Sequence, residues 1–177
     1  DIEKYEKAWE LEKRIREVRG HISKGLESHD LMERKVATVC FLIDELKMRV
    51  GDEKDDDEAD TVGATTLRSE HIRIDNASNT VTFDFLGKDS VRWLHTIKPP
   101  AVVVENLKAF AKEGGDTLFN GIRSQRVNEY LSLAMENLTA KVFRTFHAST
   151  ATKEALSRSG IKKSDPAYFK KYSAATA

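Results

Sequence analysis

Three cations pose the chemical question in this chain. Lys88 sits in Phe83-Asp84-Phe85-Leu86-Gly87-Lys88-Asp89-Ser90, at the tip of a predicted hairpin between two strand-like runs. Arg49 ends an apolar helical pattern and is followed by Gly51-Asp52-Glu53-Lys54. Arg144 lies in Leu138-Thr139-Ala140-Lys141-Val142-Phe143-Arg144-Thr145-Phe146. Brought together, Arg, Lys and Arg make a phosphate clamp with a proton donor in it. Guanidinium groups fit the non-bridging oxygens of a phosphodiester bidentately, and an ammonium can protonate a departing alkoxide. Such a set can run phosphodiester chemistry without a metal. Taken singly, each cation has a plainer explanation. A lysine at a hairpin tip is ordinarily a solvated turn residue. An arginine ending a helix favours the negative end of the helix dipole, and Arg144 can snorkel from a helix flank.

The elements that must position these groups follow from periodicity. Ile2, Tyr5, Trp9, Ile15 and Val18 recur at helical spacing, which predicts a first helix closed by Arg19-Gly20. Asp30 with Glu33 three residues on has the form of a capping box. The helix it opens turns Val36, Ala37, Val39, Cys40, Ile43 and Leu46 inward and runs to about Val50. Asp52 to Asp60 carries seven acids and one lysine. It lacks the glycine and the ligand spacing of an EF-hand, and so reads as a solvated loop. Strand-like patterns follow at Thr65–Ile74, Thr80–Leu86 and Ser90–His95, separated by Asp75–Asn79 and by the turn Gly87-Lys88-Asp89. After Pro99-Pro100, helical patterns return at Val102–Ala111, Ser124–Met135, Leu138 to about Ala148, Thr150–Ser159, and from Asp165 onward. The predicted class is α+β: a mostly helical single domain over 1–177, helical in 1–50 and 101–177, with a three-stranded antiparallel meander in 65–95.

Bulk composition narrows the function classes. Hydrophobic content of 40% with 33% charged residues describes a globular chain. No apolar run approaches the roughly 18 residues of a membrane span, and no signal peptide is visible. The one cysteine, Cys40, excludes a disulfide within the chain and is expected in the core. A net charge of zero hides an asymmetry. Residues 1–60 hold 12 Lys/Arg against 18 Asp/Glu, whereas residues 61–177 hold 17 against 11. A basic C-terminal face suits a polyanion. The chain opens without methionine and stops inside a helical pattern, so it reads as a piece of something longer.

Set in their surrounding words, the three cations resemble one family, the type IB DNA topoisomerases of the eukaryotic kind. The resemblance is densest at Phe41–Leu46 through Arg49–Lys54, and at Ala59-Asp60-Thr61-Val62-Gly63. It continues through Leu67–Ile72, Phe83–Arg92 and Leu138–Ser149. It implies the fold shared by the catalytic domains of topoisomerase IB and the tyrosine recombinases. It implies as partner double-stranded DNA, with no cofactor and no membrane, and a monomer working in the nucleus of a eukaryote or the cytoplasm and nucleoid of an archaeon or bacterium. Arg49 and Arg144 match the family's catalytic arginines and Lys88 its general acid. Arg49, Val50, Gly51, Asp52, Glu53, Lys54, Thr61, Lys88, Asp89, Thr139, Ala140 and Lys141 match positions that contact DNA. Lys141-Val142-Phe143-Arg144 has the Lys-x-x-Arg form of the topoisomerases rather than the His-x-x-Arg of the recombinases. His147 stands where the family often has asparagine.

The resemblance also implies a catalytic histidine and a nucleophilic tyrosine lying beyond Ala177, on the rest of the polypeptide or on a second chain. Tyr172–Ala177 resembles the start of the helix that precedes that histidine. Tyr5, Tyr130, Tyr168 and Tyr172 stand in the wrong contexts and read as packing or surface residues. The expectation is a fragment that neither cleaves nor relaxes DNA alone. Three other readings stay open on the sequence: a DNA-binding module without catalysis, a recombinase relative with the same fold, and a soluble helical scaffold whose charges are merely solvated.

Overall fold

The computed structural model describes residues 2–52 and 62–160. Five helices and one three-stranded sheet are formed among them. Helix α1 (Ile2–Leu26) turns Ala8, Leu11, Val18, Ile22 and Leu26 inward at helical spacing. Its apolar face differs from the expected one at the start, where Ile2 and Trp9 are exposed. The helix also runs straight through Gly20. That residue faces solvent with nothing within 4 Å of a built Cβ, and a mid-helix glycine costs only about 1 kcal/mol relative to alanine.

Helix α2 (Leu31–Leu46) buries Val36, Ala37, Val39, Cys40, Leu42 and Ile43. Asp30 caps it, its carboxylate accepting the Met32 N–H at 3.0 Å. Glu33 does not close the reciprocal box: its carboxylate accepts instead from the Ser28 hydroxyl at 2.9 Å. The helix stops four residues before Val50 because Lys47 adopts a left-handed conformation (φ 57°, ψ 33°). Cys40 is buried, and burial pushes its thiol up.

The sheet is a meander of β1 (Ile72–Asp75), β2 (Thr80–Leu86) and β3 (Arg92–Ile97), all antiparallel. In β2, Val81, Phe83 and Phe85 point into the core and alternate with half-buried Thr80, Thr82 and Asp84, the period-2 signature of a strand with one covered face. The first strand is shorter than its β-branched sequence predicts. Residues 64–66 and 69–71 form single 3₁₀ turns instead. The reason is tertiary: Ala64 N–H and Thr65 N–H donate to the carbonyls of Arg49 and Val50, at 2.9 and 2.8 Å, and the Leu118 N–H donates to the Leu67 carbonyl at 2.7 Å. This strap outcompetes extension into the sheet.

Two glycines make the strap possible. Gly51 has φ 94°, and a Cβ on Gly63 would sit 2.5 Å from the Gly51 Cα and 2.9 Å from the Arg49 carbonyl oxygen. Both obstacles are backbone and cannot rotate away. Gly63→Ala is therefore expected to destabilise the chain by about 1–3 kcal/mol, read as a lower urea midpoint with an unchanged slope. A wild-type midpoint would contradict the crossing.

Helices α3 (Ala101–Glu113), α4 (Ser124–Ala134) and α5 (Ala140–Arg158) complete the described chain. The break expected between Ala148 and Thr150 is absent. Thr145, Thr150 and Thr152 return their hydroxyls to the carbonyls of Lys141, Phe146 and Ala148, which keeps these β-branched residues inside one helix. No helix among the described residues is long and apolar enough to cross a membrane. The helix expected from Asp165 onward lies outside the described residues, as does the acidic run after Asp52.

Candidate active site

Arg49 and Arg144 line a single open cavity of about 190 Å³. Lys47, Met48, Val62, Phe85, Gly87 and Trp93 complete its wall. Four separate segments thus meet here: the exit from α2, Val62 at the start of the strap, the base of the β2–β3 hairpin, and the second turn of α5. The left-handed residue Lys47 ends α2, and the Gly51–Gly63 crossing pins the segment that follows. Arg49 is half-buried and Arg144 exposed.

The hairpin reaches the cavity through Gly87, which lines it. Gly87 N–H donates to the Val91 carbonyl at 2.8 Å and closes a three-residue loop, Lys88–Ser90. Asp89 and Ser90 both have φ 59°. Two consecutive left-handed residues let the chain reverse in so few steps, and they delay β3 to Arg92 rather than Ser90. Lys88 consequently stands on the shoulder of the loop, directly after a cavity-lining residue, and not at its apex. Its side chain lies outside what is described. Below it, Phe85 pairs with Trp93 across the strands, their rings stacked at 4.9 Å. On the other face Arg92 donates bidentately to Asp84, at 2.9 and 2.8 Å, and holds the Asp84 carboxyl below the usual carboxylate range. Aromatic stacking and this fork both stiffen the support of the lysine.

Of the residues expected to meet DNA, Thr139 and Lys141 stand half-buried and exposed at the start of α5, and Asp89 is exposed on the hairpin loop. Val50 and Ala140 are each only 3% exposed, which leaves their backbones as the available contact groups. The Ala140 N–H already donates to Asn128 Oδ1 at 3.0 Å. Asp52 is not a free member of a solvated loop. Its carboxylate accepts from the Thr65 hydroxyl at 2.6 Å and from the Ser124 N–H at 3.0 Å, so it caps α4 from 72 positions away. Glu53, Lys54 and Thr61 lie outside the described residues. Tyr130 is a core residue, as expected, its hydroxyl donating to the His21 carbonyl at 3.1 Å.

The sequence did not single out Lys47, Met48 or Trp93 as cavity residues, and it missed a polar network joining α1, α2 and α5. Arg19 on α1 donates to Asp44 on α2 through Nε (2.8 Å) and Nη2 (3.1 Å). His147 Nε2 on α5 lies 3.1 Å from the same carboxylate. Burial pushes the Asp44 carboxyl up, but the hydrogen bonds from His147 and Arg19 pull it down further, to below its ordinary value.

Comparison with known proteins identifies the family. All of residues 1–177 match the family described as eukaryotic DNA topoisomerase I, catalytic core. The chain is 42% identical to DNA topoisomerase 1 of Schizosaccharomyces pombe over 161 residues, which is 89% of this chain and 20% of that protein. Against DNA topoisomerase 1 of Daucus carota it is 43% identical over 155 residues, 86% of this chain and 20% of that protein. Against the Drosophila melanogaster protein of the same name the figures are 41% over 159 residues, 86% and 16%. The chain spans about a fifth of the length of the curated relatives it matches. These 177 residues belong to the eukaryotic DNA topoisomerase I catalytic-core family.

Proposed function

We propose that this chain is the phosphate-clamping part of a type IB DNA topoisomerase, which relaxes supercoiled DNA through transient single-strand cleavage. One observation carries the reading: Arg49 and Arg144, far apart in sequence, line one cavity together with the residue preceding Lys88. In the proposed reaction a tyrosine gives its phenol proton to water as its oxygen attacks a backbone phosphorus and forms a 3′-phosphotyrosyl ester. The bond to the 5′ oxygen breaks, and Lys88 gives that oxygen its proton. Arg49 and Arg144 hold the non-bridging oxygens, on which negative charge builds during attack. Rotation about the intact strand then releases supercoils, and the 5′-hydroxyl reverses the exchange. One phosphoester is traded for another at each step, so the linkage energy is conserved and ATP is not required. The arginines supply the electrophilic stabilisation that a metal would otherwise give.

Arg49 to Lys54, Thr61 and Thr139 to Lys141 would contact DNA backbone, with Asp89 beside the acid, positioning the duplex without reading its sequence. The histidine and the tyrosine that complete the family set are supplied from outside these 177 residues, and the site of action is the nucleus. The test is plasmid relaxation in EDTA without ATP. The longer protein should relax both positive and negative supercoils, and the isolated 177-residue chain neither. A longer protein that binds DNA but relaxes nothing would mean a non-catalytic module.

A further inference from the structure

We infer that Arg19, Asp44 and His147 form a positioning network that fixes the spacing between the two clamp arginines. The inference rests on the clamp proposed above. Asp44 lies in the last turn of α2, five residues before Arg49, and His147 lies on α5, three residues after Arg144. The hydrogen bond joining them therefore ties the element that delivers one guanidinium to the element that carries the other. Arg19 grips the same carboxylate from α1, so three helices meet on one anion.

Burial makes the arrangement rigid rather than optional. The Asp44 and His147 side chains are each 12% exposed, and the Arg19 side chain 51%. A carboxylate withdrawn from water this far must keep its partners, because stranding it is strongly unfavourable. A carboxylate only accepts, so His147 Nε2 is the donor of its bond. The imidazole is held in that orientation by the rings of Phe146 and Phe143, at 5.1 and 6.3 Å. Bidentate capture of a phosphate tolerates only about 0.5 Å of error in the clamp. A helix that slides by about 1 Å can lose roughly 10²-fold in rate without losing a catalytic group. The network stands where it would prevent such a slide.

The experiment uses the longer protein carrying the tyrosine, with single-turnover cleavage of a duplex that cannot religate. Measurements are made at saturating DNA and at a temperature where circular dichroism shows every variant folded. His147→Ala should lower the first-order cleavage constant about 10–100-fold, with duplex affinity within about 2-fold of wild type. His147→Asn keeps an amide N–H that can reach Asp44 and should recover to within about 3-fold of wild type. Arg19→Gln, altered on the solvent side, should fall between them. Cleavage at the wild-type rate by His147→Ala would overturn the inference, as would a His147→Asn variant no faster than His147→Ala. Arg144→Ala, run alongside, separates the two levels. If it cleaves normally the clamp itself is wrong; if it is slow while His147→Ala is not, only the positioning role fails.

Discussion

Arg144→Ala in the longer protein is expected to slow DNA cleavage by about 10²–10³-fold, the usual loss when one preorganised donor is taken from developing anionic charge. Duplex affinity should change little, because one phosphate contact among many is removed; the salt dependence of binding should flatten by about one ion. The separation of rate from affinity is the informative part. A group that merely holds DNA weakens binding and spares the first-order step. A group that meets charge present only during attack does the reverse. Arg49→Ala should behave alike, and the double variant should lose less than the product of the two, since the pair acts on one phosphate. Arg144→Lys should restore little, because an ammonium cannot reproduce the planar fork. Single-turnover cleavage on one radiolabelled strand measures all four. Arg144→Ala within about 3-fold of wild type would remove the residue from the clamp.

Much of this architecture was legible in the residues, and its failures have physical causes. The second helix declared itself through Val36, Ala37, Val39, Cys40 and Ile43, and the central strand through the alternation of Val81, Phe83 and Phe85 with polar neighbours. Both signals are local. The stretch from Thr65 misled because its β-branched residues favour a strand, while backbone bonds to Arg49 and Val50 hold it as a strap. Gly20 misled because a solvent-facing glycine weakens a helix without ending it.

The capping role of Asp52 and the Arg19–Asp44–His147 network could not be read at all. Their partners lie 72, 25 and 103 positions apart, and no periodicity links them. Arg49 and Arg144 fared better, but not through spacing. Each was embedded in a long family word, and that resemblance, rather than helix or strand pattern, brought them together before the cavity did.

Lys88→Ala should produce the other large effect, a loss of about 10²–10⁴-fold in cleavage of an ordinary phosphodiester, the range that a positioned general acid contributes. An alkoxide leaves poorly from phosphorus at neutral pH and needs a proton as the bond breaks. On the proposed reading the β2–β3 hairpin brings one. Gly87 lines the arginine cavity, the Lys88–Ser90 loop follows it directly, and the Phe85–Trp93 stack and the Asp84–Arg92 fork hold its base. Binding of duplex should persist in the variant, since a single cation adds little to a many-contact interface.

The decisive comparison replaces the departing 5′ oxygen of the DNA with sulfur. A thiolate leaves without protonation, so a true general acid becomes dispensable on that substrate alone. The measurement is the ratio of cleavage rates, wild type over Lys88→Ala, on matched oxygen and sulfur substrates under single-turnover conditions. A large ratio on oxygen that collapses to within about 3-fold on sulfur is the result predicted for a proton donor. An equal loss on both substrates would contradict it, leaving Lys88 a binding cation and the clamp without its acid.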